Sequence, residues 1–475
     1  MTVTPFWIAG QPETGTTPIE VRHPYDGEVV GTYSHATPDQ RERAIAAARD
    51  AAEHFAAAPA QVRADACRAA SDAIAADAER IASVITAESG KPVQWARAEV
   101  GRAVATFGFA AEEARRFGGE LQRLDTNAAA TGMAALVRRF PIGPVLGITP
   151  FNFPLNLVAH KVAPALAVGA PIIVKPAPAT PLSALLLGEI LSDVGLPDGA
   201  VSVLPVPNDE MSAVVADERL PIVSFTGSET VGWSIKDSVP RKQVILELGG
   251  NAAALIAPDY DDLGHAADRI ALFGNYQGGQ SCIAVQRVLV PEEVAGEFLP
   301  MLAERVAGLV VGDPRDDRCQ VGPVINEDAA RRIESWLAEA TDHGAVIHCG
   351  GTRSGTTVAP TVVSGVDPSV KLATEEVFGP VLIVDTYRDL DEGFAAINRS
   401  RFGLQAGVFT RRWDVAARAH RTLDVGGVVI GDVPSVRADQ MPYGGNKASG
   451  VGREGVASAM LDYTAPRVLV LPDTF

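Results

Sequence analysis

Between residues 142 and 248 the chain alternates short, unbroken Val/Ile runs with helix-length segments that end in glycine. Strands are read at 145–149, 172–175, 201–204, 222–226 and 244–248. Helices are read at 156–168, 181–194, about 208–216 and 228–237, with Gly169 and Gly195 closing the first two. A strand apolar on both faces must be covered on both faces, and parallel neighbours need a crossover helix between them. The pattern therefore predicts an α/β, doubly wound parallel sheet. Such sheets bind ligands beyond the carboxyl ends of their strands, so polar residues at those ends become candidates for chemistry.

After Gly249-Gly250 a second alternating unit begins, and the domain boundary is placed there. Its strands are read near 252–256, 285–290, 381–387 and 428–431, and its helices at about 261–276, 291–308, 327–343 and 412–422. Ahead of residue 142, short strands at 19–22 and 29–33 lead into a helix with Thr37 as N-cap, Pro38 in its first turn and Gln40 completing a capping box. Alanine-rich helices follow at 38–57, 60–88 and 93–117, the last two separated by Gly90-Lys91-Pro92. Residues 121–124 and 133–140 read as two strands around a polar turn, projecting from the body.

Composition narrows the partners. The net charge of −17 argues against nucleic acid or an anionic membrane, since both need a positive field. The longest apolar stretch, 157–174, contains His160, Lys161, two prolines and a glycine, and reads as helix, turn and buried strand. Cys67, Cys282, Cys319 and Cys349 lie far apart, with no C-x-x-C pair, so neither a metal site nor a disulfide framework is suggested. With no signal-like N-terminus, a reducing, cytoplasmic setting is expected.

Several residues carry two readings. Cys282 follows Gly278-Gly279-Gln280-Ser281, where a helix gives way to a strand. Alone it reads as an inert core thiol, but the bend also suits a nucleophile with a backbone N–H aimed at what the sulfur attacks. Asn152, past a strand end, is a turn residue or an amide donor to an oxyanion. Lys175 is a solvated strand terminus or a ligand to ribose or phosphate. Gly227-Ser228 opens a helix whose free N–H groups suit phosphate. Glu247, ending a strand that should be buried, is an ion-pair member or a general base with a raised pKa. There is no G-x-G-x-x-G after a strand.

Taken together and in order, these residues resemble the NAD(P)-dependent aldehyde dehydrogenases, from the N-terminal helices to about Ala465. Seven motifs carry the resemblance: Phe151-Asn152-Phe153-Pro154, Lys175-Pro176-Ala177, Phe225-Thr226-Gly227-Ser228 with Gly232, Glu247-Leu248-Gly249-Gly250, Gly279-Gln280-Ser281-Cys282, Glu375-Glu376-Val377-Phe378-Gly379-Pro380, and Pro442-Tyr443-Gly444-Gly445 through Ser449-Gly450. The resemblance implies a cofactor domain (1–121 and 142–248), a catalytic domain (249–433), an oligomerisation arm (122–141 and 464–475), and a tunnel-closing loop returning to the cofactor domain (434–463). A homodimer or homotetramer is expected. Cys282 would be the nucleophile, Asn152 with the Cys282 N–H the oxyanion site, and Glu247 the base that hydrolyses the thioester. NAD or NADP would be held by Lys175 at the adenine ribose, by the helix from Ser228 at the pyrophosphate, and by Glu376 and Phe378 at the nicotinamide. Thr149, Pro150, Phe151, Ala177, Gly227, Gly232 and Leu248 complete the implied cofactor-binding set.

Two departures qualify the resemblance. The position three after Lys175, often glutamate in NAD-preferring members, is Pro178, which weakens repulsion of a 2′-phosphate. The run Leu204-Pro205-Val206-Pro207-Asn208 replaces glycines found in relatives. For the substrate, Arg102, His160 and Arg437 are expected to form a cationic pocket end, with Ser281, beside the nucleophile, and Tyr443, in the tunnel-closing loop, as further substrate-binding residues. That points to a short aldehyde with an anionic or hydroxylated tail: a semialdehyde, lactaldehyde, or a phospho- or phosphonoaldehyde. The alternatives are a CoA-acylating enzyme, against which Glu247 argues, and a catalytically inactive binding protein.

Overall fold

The computed structural model describes residues 2–472. The five strands read between 142 and 248 form the parallel centre of an eight-stranded sheet, in the order Val201–Val203, Ile172–Lys175, Val145–Ile148, Ile222–Thr226, Gln243–Glu247. Val145, Leu146, Ile172, Val174, Ile222 and Val223 are fully buried. Each such side chain contributes roughly 1.5–3 kcal/mol of transfer free energy, which favours covering both faces. Register lines up the carboxyl ends: Ile148 lies opposite both Lys175 and Phe225, and Thr226 lies opposite Glu247. The edges are antiparallel. One is the hairpin Phe6–Ile8 and Gln11–Glu13; the other is Gly450–Val451, which pairs with Gln243–Glu247.

The second unit is a seven-stranded sheet rather than the four strands expected. Its order is Val346–Cys349, Thr361–Ser364, Val381–Tyr387, Arg287–Pro291, Ala253–Ile256, Gln405–Phe409, Gly427–Ile430. Val346–Cys349, Thr361–Ser364 and Gln405–Phe409 are short and interrupted by polar residues or glycine, which weakens their strand pattern. The helix Leu390–Asn398 also escaped the pattern, although Asp389 caps it by accepting the Glu392 N–H at 2.9 Å.

Two further boundaries differ from expectation. The helix read at 60–88 is two, Ala60–Ala76 and Ala78–Ser89, broken at Asp77, whose backbone sits at φ −108°, ψ 20°. Aspartate favours helix ends because its carboxylate competes locally for donors; here it accepts from Arg80 Nε at 2.6 Å. The strand read at 285–290 starts at Arg287, because the Gln286 side chain bonds across to the 372–377 segment. The capping box at Thr37 forms as expected, with Thr37 N–H donating to Gln40 and Gln40 N–H to Thr37.

The arm has three strands. Glu120–Arg123 pairs with Met133–Pro141, and Thr464–Pro472 runs antiparallel along the whole of Met133–Pro141. The reading of 464–475 as arm extends at 473–475 outside the described residues. Among the described residues no helix is long and apolar enough to cross a membrane.

Candidate active site

Cys282 sits on a tight turn. The helix Leu263–Asn275 ends, and the chain passes through Tyr276–Gly279 with Gln277, Gly278 and Gly279 at φ 44°, 69° and 69°. Gln277 holds this unusual backbone by donating from Nε2 to the Gln280 carbonyl at 3.0 Å. Gly279 is required twice over: it is left-handed, and a Cβ there would lie 2.2 Å from the Gly379 carbonyl oxygen. Asn152 Nδ2 donates to the same Gln280 carbonyl at 2.9 Å, which fixes the amide beside the cysteine loop. Among the described residues no protein acceptor takes the Cys282 N–H.

The Glu247 motif packs on this turn through its glycines. A Cβ on Gly250 would lie 2.4 Å from the Cys282 carbonyl oxygen, and one on Gly249 would lie 2.4 Å from Glu376 Oε2. The space is used: Gly250 N–H donates to Glu376 Oε1 at 3.0 Å. Glu247 is 3% exposed and neither carboxylate oxygen has a hydrogen-bond partner. Burial, and then the charge of Glu454, push its pKa well above the usual carboxylate range.

Cys282, Glu247 and Asn152 open onto one cavity of about 560 Å³, which runs back along the strand ends past Thr149, Pro150 and Phe151 to Lys175, Ala177 and Pro178. Gly227, Ser228, Leu248, Glu376 and Phe378 line it too. The rings of Phe151 and Phe378 meet edge to face at 5.7 Å. Burial raises Glu376 to about 7 and lowers Lys175 to about 8, and Lys175 Nζ donates to Asn208 Oδ1 at 2.6 Å. Ser228 precedes the helix Glu229–Ser238 without a side-chain cap, which leaves its first N–H groups without a side-chain acceptor beside the cavity lining at Gly227, Ser228 and Val231. Gly232 is not on the cavity wall. It is buried within that helix, where a Cβ would meet Leu248 at 2.4 Å, so it sets helix packing.

The profile of the Aldehyde dehydrogenase family matches residues 7–469. The chain belongs to the aldehyde dehydrogenase family. It is an oxidoreductase that oxidises an aldehyde with NAD or NADP. It is 37% identical over 467 residues to 3-sulfolactaldehyde dehydrogenase of Priestia aryabhattai, covering 98% of this chain and 97% of that one. Among solved structures, aldehyde dehydrogenase 21 from Physcomitrella patens, in complex with the reaction product succinate, superposes with a TM-score of 0.97. That pair is 41% identical and covers 100% of this chain and 99% of the other. The NADP-dependent glyceraldehyde-3-phosphate dehydrogenase of Bacillus halodurans, complexed with NADP, superposes with a TM-score of 0.95 at 33% identity, covering 99% and 100%.

The cavity of this aldehyde dehydrogenase suits a dinucleotide: it is long, largely apolar, and meets an uncapped helix N-terminus part-way and a buried carboxylate, Glu376, near the cysteine. Arg332, which the sequence reading did not single out, also lines it, held by donation to the Val377 carbonyl at 2.6 Å and by stacking on Trp336.

On the other side of Cys282 lies a buried ionic network. Arg102, His160 and Arg437 do converge, but each meets a carboxylate, Asp439 or Glu454, that no sequence pattern marks. Arg102 makes a two-pronged pair with Asp439, closest contact 2.7 Å. His160 Nε2 lies 2.9 Å from Asp439 Oδ1, and Arg437 donates to Glu454 Oε2 at 3.0 Å. Burial alone would raise Asp439, yet hydrogen bonds from His160 and the Arg102 charge hold it below the usual range. Glu454 also faces Lys161 Nζ at 3.4 Å; Lys161 and Arg437 outweigh burial and lower it to about 2. Arg437 is almost wholly buried, whereas the Arg102 side chain is 28% exposed. The expected cationic end is therefore a compensated cluster, with Arg102 as its accessible cation. Lys161 inside an apolar run was the sequence signal for this network; Asp439 and Glu454 carried none.

Tyr443 reaches the sulfur, and Ser281 precedes the cysteine in the chain. Ser281 is buried, and the Tyr443 hydroxyl lies 2.9 Å from Cys282 Sγ. Cys282 is partly accessible, and its burial, only partly offset by the Tyr443 hydrogen bond, pushes its thiol up to about 12.

Proposed function

We propose that the enzyme oxidises a short aldehyde with an anionic or hydroxylated tail to the carboxylic acid through a thioester on Cys282. The observation that carries this is the convergence of Cys282, Asn152 and the unpartnered Glu247 carboxylate on one cavity. Cys282 attacks the aldehyde carbon as the thiolate. The Asn152 amide and the Cys282 N–H stabilise the resulting oxyanion; losing one such donor costs about 3 kcal/mol of transition-state stabilisation. Lys175, the Glu229–Ser238 helix end and Glu376 would hold NAD or NADP, which would supply the hydride acceptor. Glu247 then takes a proton from water as that water attacks the thioester carbon, and the C–S bond breaks to release the acid.

For the tail, Arg102 Nη1 makes no hydrogen bond to protein among the described residues, while Asp439 holds the Nε/Nη2 edge of the guanidinium and the Phe153 ring centroid lies beneath it at 5.5 Å. One accessible cation suits one anionic or hydroxyl group. The relative named for 3-sulfolactaldehyde, and the similar structure solved with succinate as its reaction product, support the reading, since both molecules carry anionic groups. Arg102→Ala should lower kcat/KM for succinate semialdehyde about ten- to a hundredfold more than for butanal. Equal losses for the two aldehydes would remove Arg102 from tail recognition.

Two further assignments belong to this proposal. With Pro178 three residues after Lys175, that position offers no carboxylate to repel a 2′-phosphate, so the enzyme accepts NADP as well as NAD. The arm, with Val468, Leu469 and Val470 exposed on one strand, joins copies of the chain into a cytoplasmic homodimer or homotetramer.

A further inference from the structure

We propose that Tyr443 is a catalytic residue: its hydroxyl donates a hydrogen bond to the Cys282 thiolate, both when the nucleophile forms and when sulfur leaves the acyl carbon. The inference rests on Cys282 being the nucleophile, as argued above.

The geometry is direct. Tyr443 Oη and Cys282 Sγ are 2.9 Å apart, close for any contact involving sulfur. The tyrosine cannot drift. Its backbone is tied to Glu454 in both directions, Tyr443 N–H to the Glu454 carbonyl at 2.9 Å and Glu454 N–H to the Tyr443 carbonyl at 2.6 Å. Its ring is buried with Ile283 and Leu404 and packs against Cys282 itself. The Arg437 guanidinium lies over the ring face, 3.7 Å from its centroid, and is locked there by Glu454 at 3.0 Å. A phenol pointed at a sulfur from a rigid mount has no packing rationale: the ring alone would fill the space.

The chemistry follows from which atom holds the proton. In the resting enzyme either group can donate. When the thiol loses its proton to Glu247 or to solvent, sulfur becomes an acceptor only, and the phenol proton turns onto it. A charge-assisted bond of this kind favours the thiolate. In the thioester the sulfur is a weak acceptor and the bond lapses. On hydrolysis the C–S bond breaks, its electron pair returns to sulfur as thiolate, and the hydroxyl donates again. Tyr443 keeps its own proton throughout, so no base is needed for it. Burial and the neighbouring Cys282 charge hold the phenol well above its ordinary pKa, which keeps it a donor.

The test reads the thiol rather than turnover. Full-length enzyme and Tyr443→Phe are treated with iodoacetamide over a range of pH, with and without NADP, and alkylation of the Cys282 peptide is followed by mass spectrometry. Below the thiol midpoint, alkylation should be about tenfold slower in the variant, equivalent to a one-unit upward shift. Replacing Tyr443 by 3,5-difluorotyrosine, which keeps the ring and strengthens the donor, should speed it. Unchanged rates in both proteins would overturn the inference and leave the nucleophile assignment intact. If alkylated Cys282 left dehydrogenase activity intact, the nucleophile assignment itself would fall.

Discussion

Glu247 and Glu454 are buried carboxylates whose pKa values are driven in opposite directions. Glu247 has no hydrogen-bond partner, and its folded pKa lies above the ordinary 4.5. The unfolded state ionises first, so any stability it contributes is present below pH 4.5 and is lost as pH rises through the folded pKa. At neutral pH Glu247 therefore costs stability. Glu247→Gln should raise the thermal midpoint at pH 7 while abolishing steady-state turnover, and the gap from wild type should close on acidification. A variant with a lower midpoint would contradict the assignment of an unpartnered base. Glu454 is lowered to about 2 by Lys161 and Arg437, so its contribution is present above pH 4.5 and is lost as pH falls toward about 2. Glu454→Gln leaves both cations buried without their counter-ion and should cost ~3–5 kcal/mol, seen as a drop in denaturation midpoint at pH 7. A drop below 1 kcal/mol would mean that the network relaxes around them.

At the level of elements, the site is a meeting of strand ends and turns, each held by a buried group. Glu99 Oε1 accepts the N–H groups of Leu155 and Asn156 at 2.9 and 3.0 Å, capping the helix Asn156–Val168 just after the Asn152 turn. Lys91 pairs with the other oxygen of Glu99 and sits 3.9 Å from the centroid of the Phe153 ring. Glu99→Gln should shift Asn152 and lower kcat about ten- to a hundredfold, with little change in Cys282 alkylation. A parallel loss in alkylation would instead mean that the whole turn has collapsed. The strand ends carrying Lys175 and Glu247 were legible in sequence because apolar runs and helix-ending glycines recur there. The glycine-rich segment from Pro442 to Gly450 was recognisable as a motif, but its role was not, because that role is non-local. Gly450 pairs with Glu247 at the sheet edge, and the Ser449 hydroxyl donates to the Gly249 carbonyl at 2.7 Å. Neither contact leaves a periodic trace. For the same reason the Asp439 and Glu454 partners of Arg102 and Arg437 were hidden: ion pairs across 337 and 17 residues follow no local rule.

Across the molecule, two sheets place their chemistry at one seam, and a separate three-stranded sheet carries the C-terminal strand. Thr464–Pro472 presents Val468, Leu469 and Val470 each more than half exposed, a strand that invites covering. Val468→Lys with Val470→Lys should lower the mass measured by light scattering toward that of one 49.7 kDa chain. An unchanged mass would move the interface elsewhere. Whether the aldehyde carbon is carried on Cys282 and released by Glu247 is decided by intact-peptide mass spectrometry. Glu247→Gln is mixed with succinate semialdehyde and NADP, quenched in acid, and digested. A succinyl group on the Cys282 peptide, formed with one equivalent of NADPH, is the predicted result. NADPH formation with Cys282 unmodified, or persisting in Cys282→Ser, would contradict it.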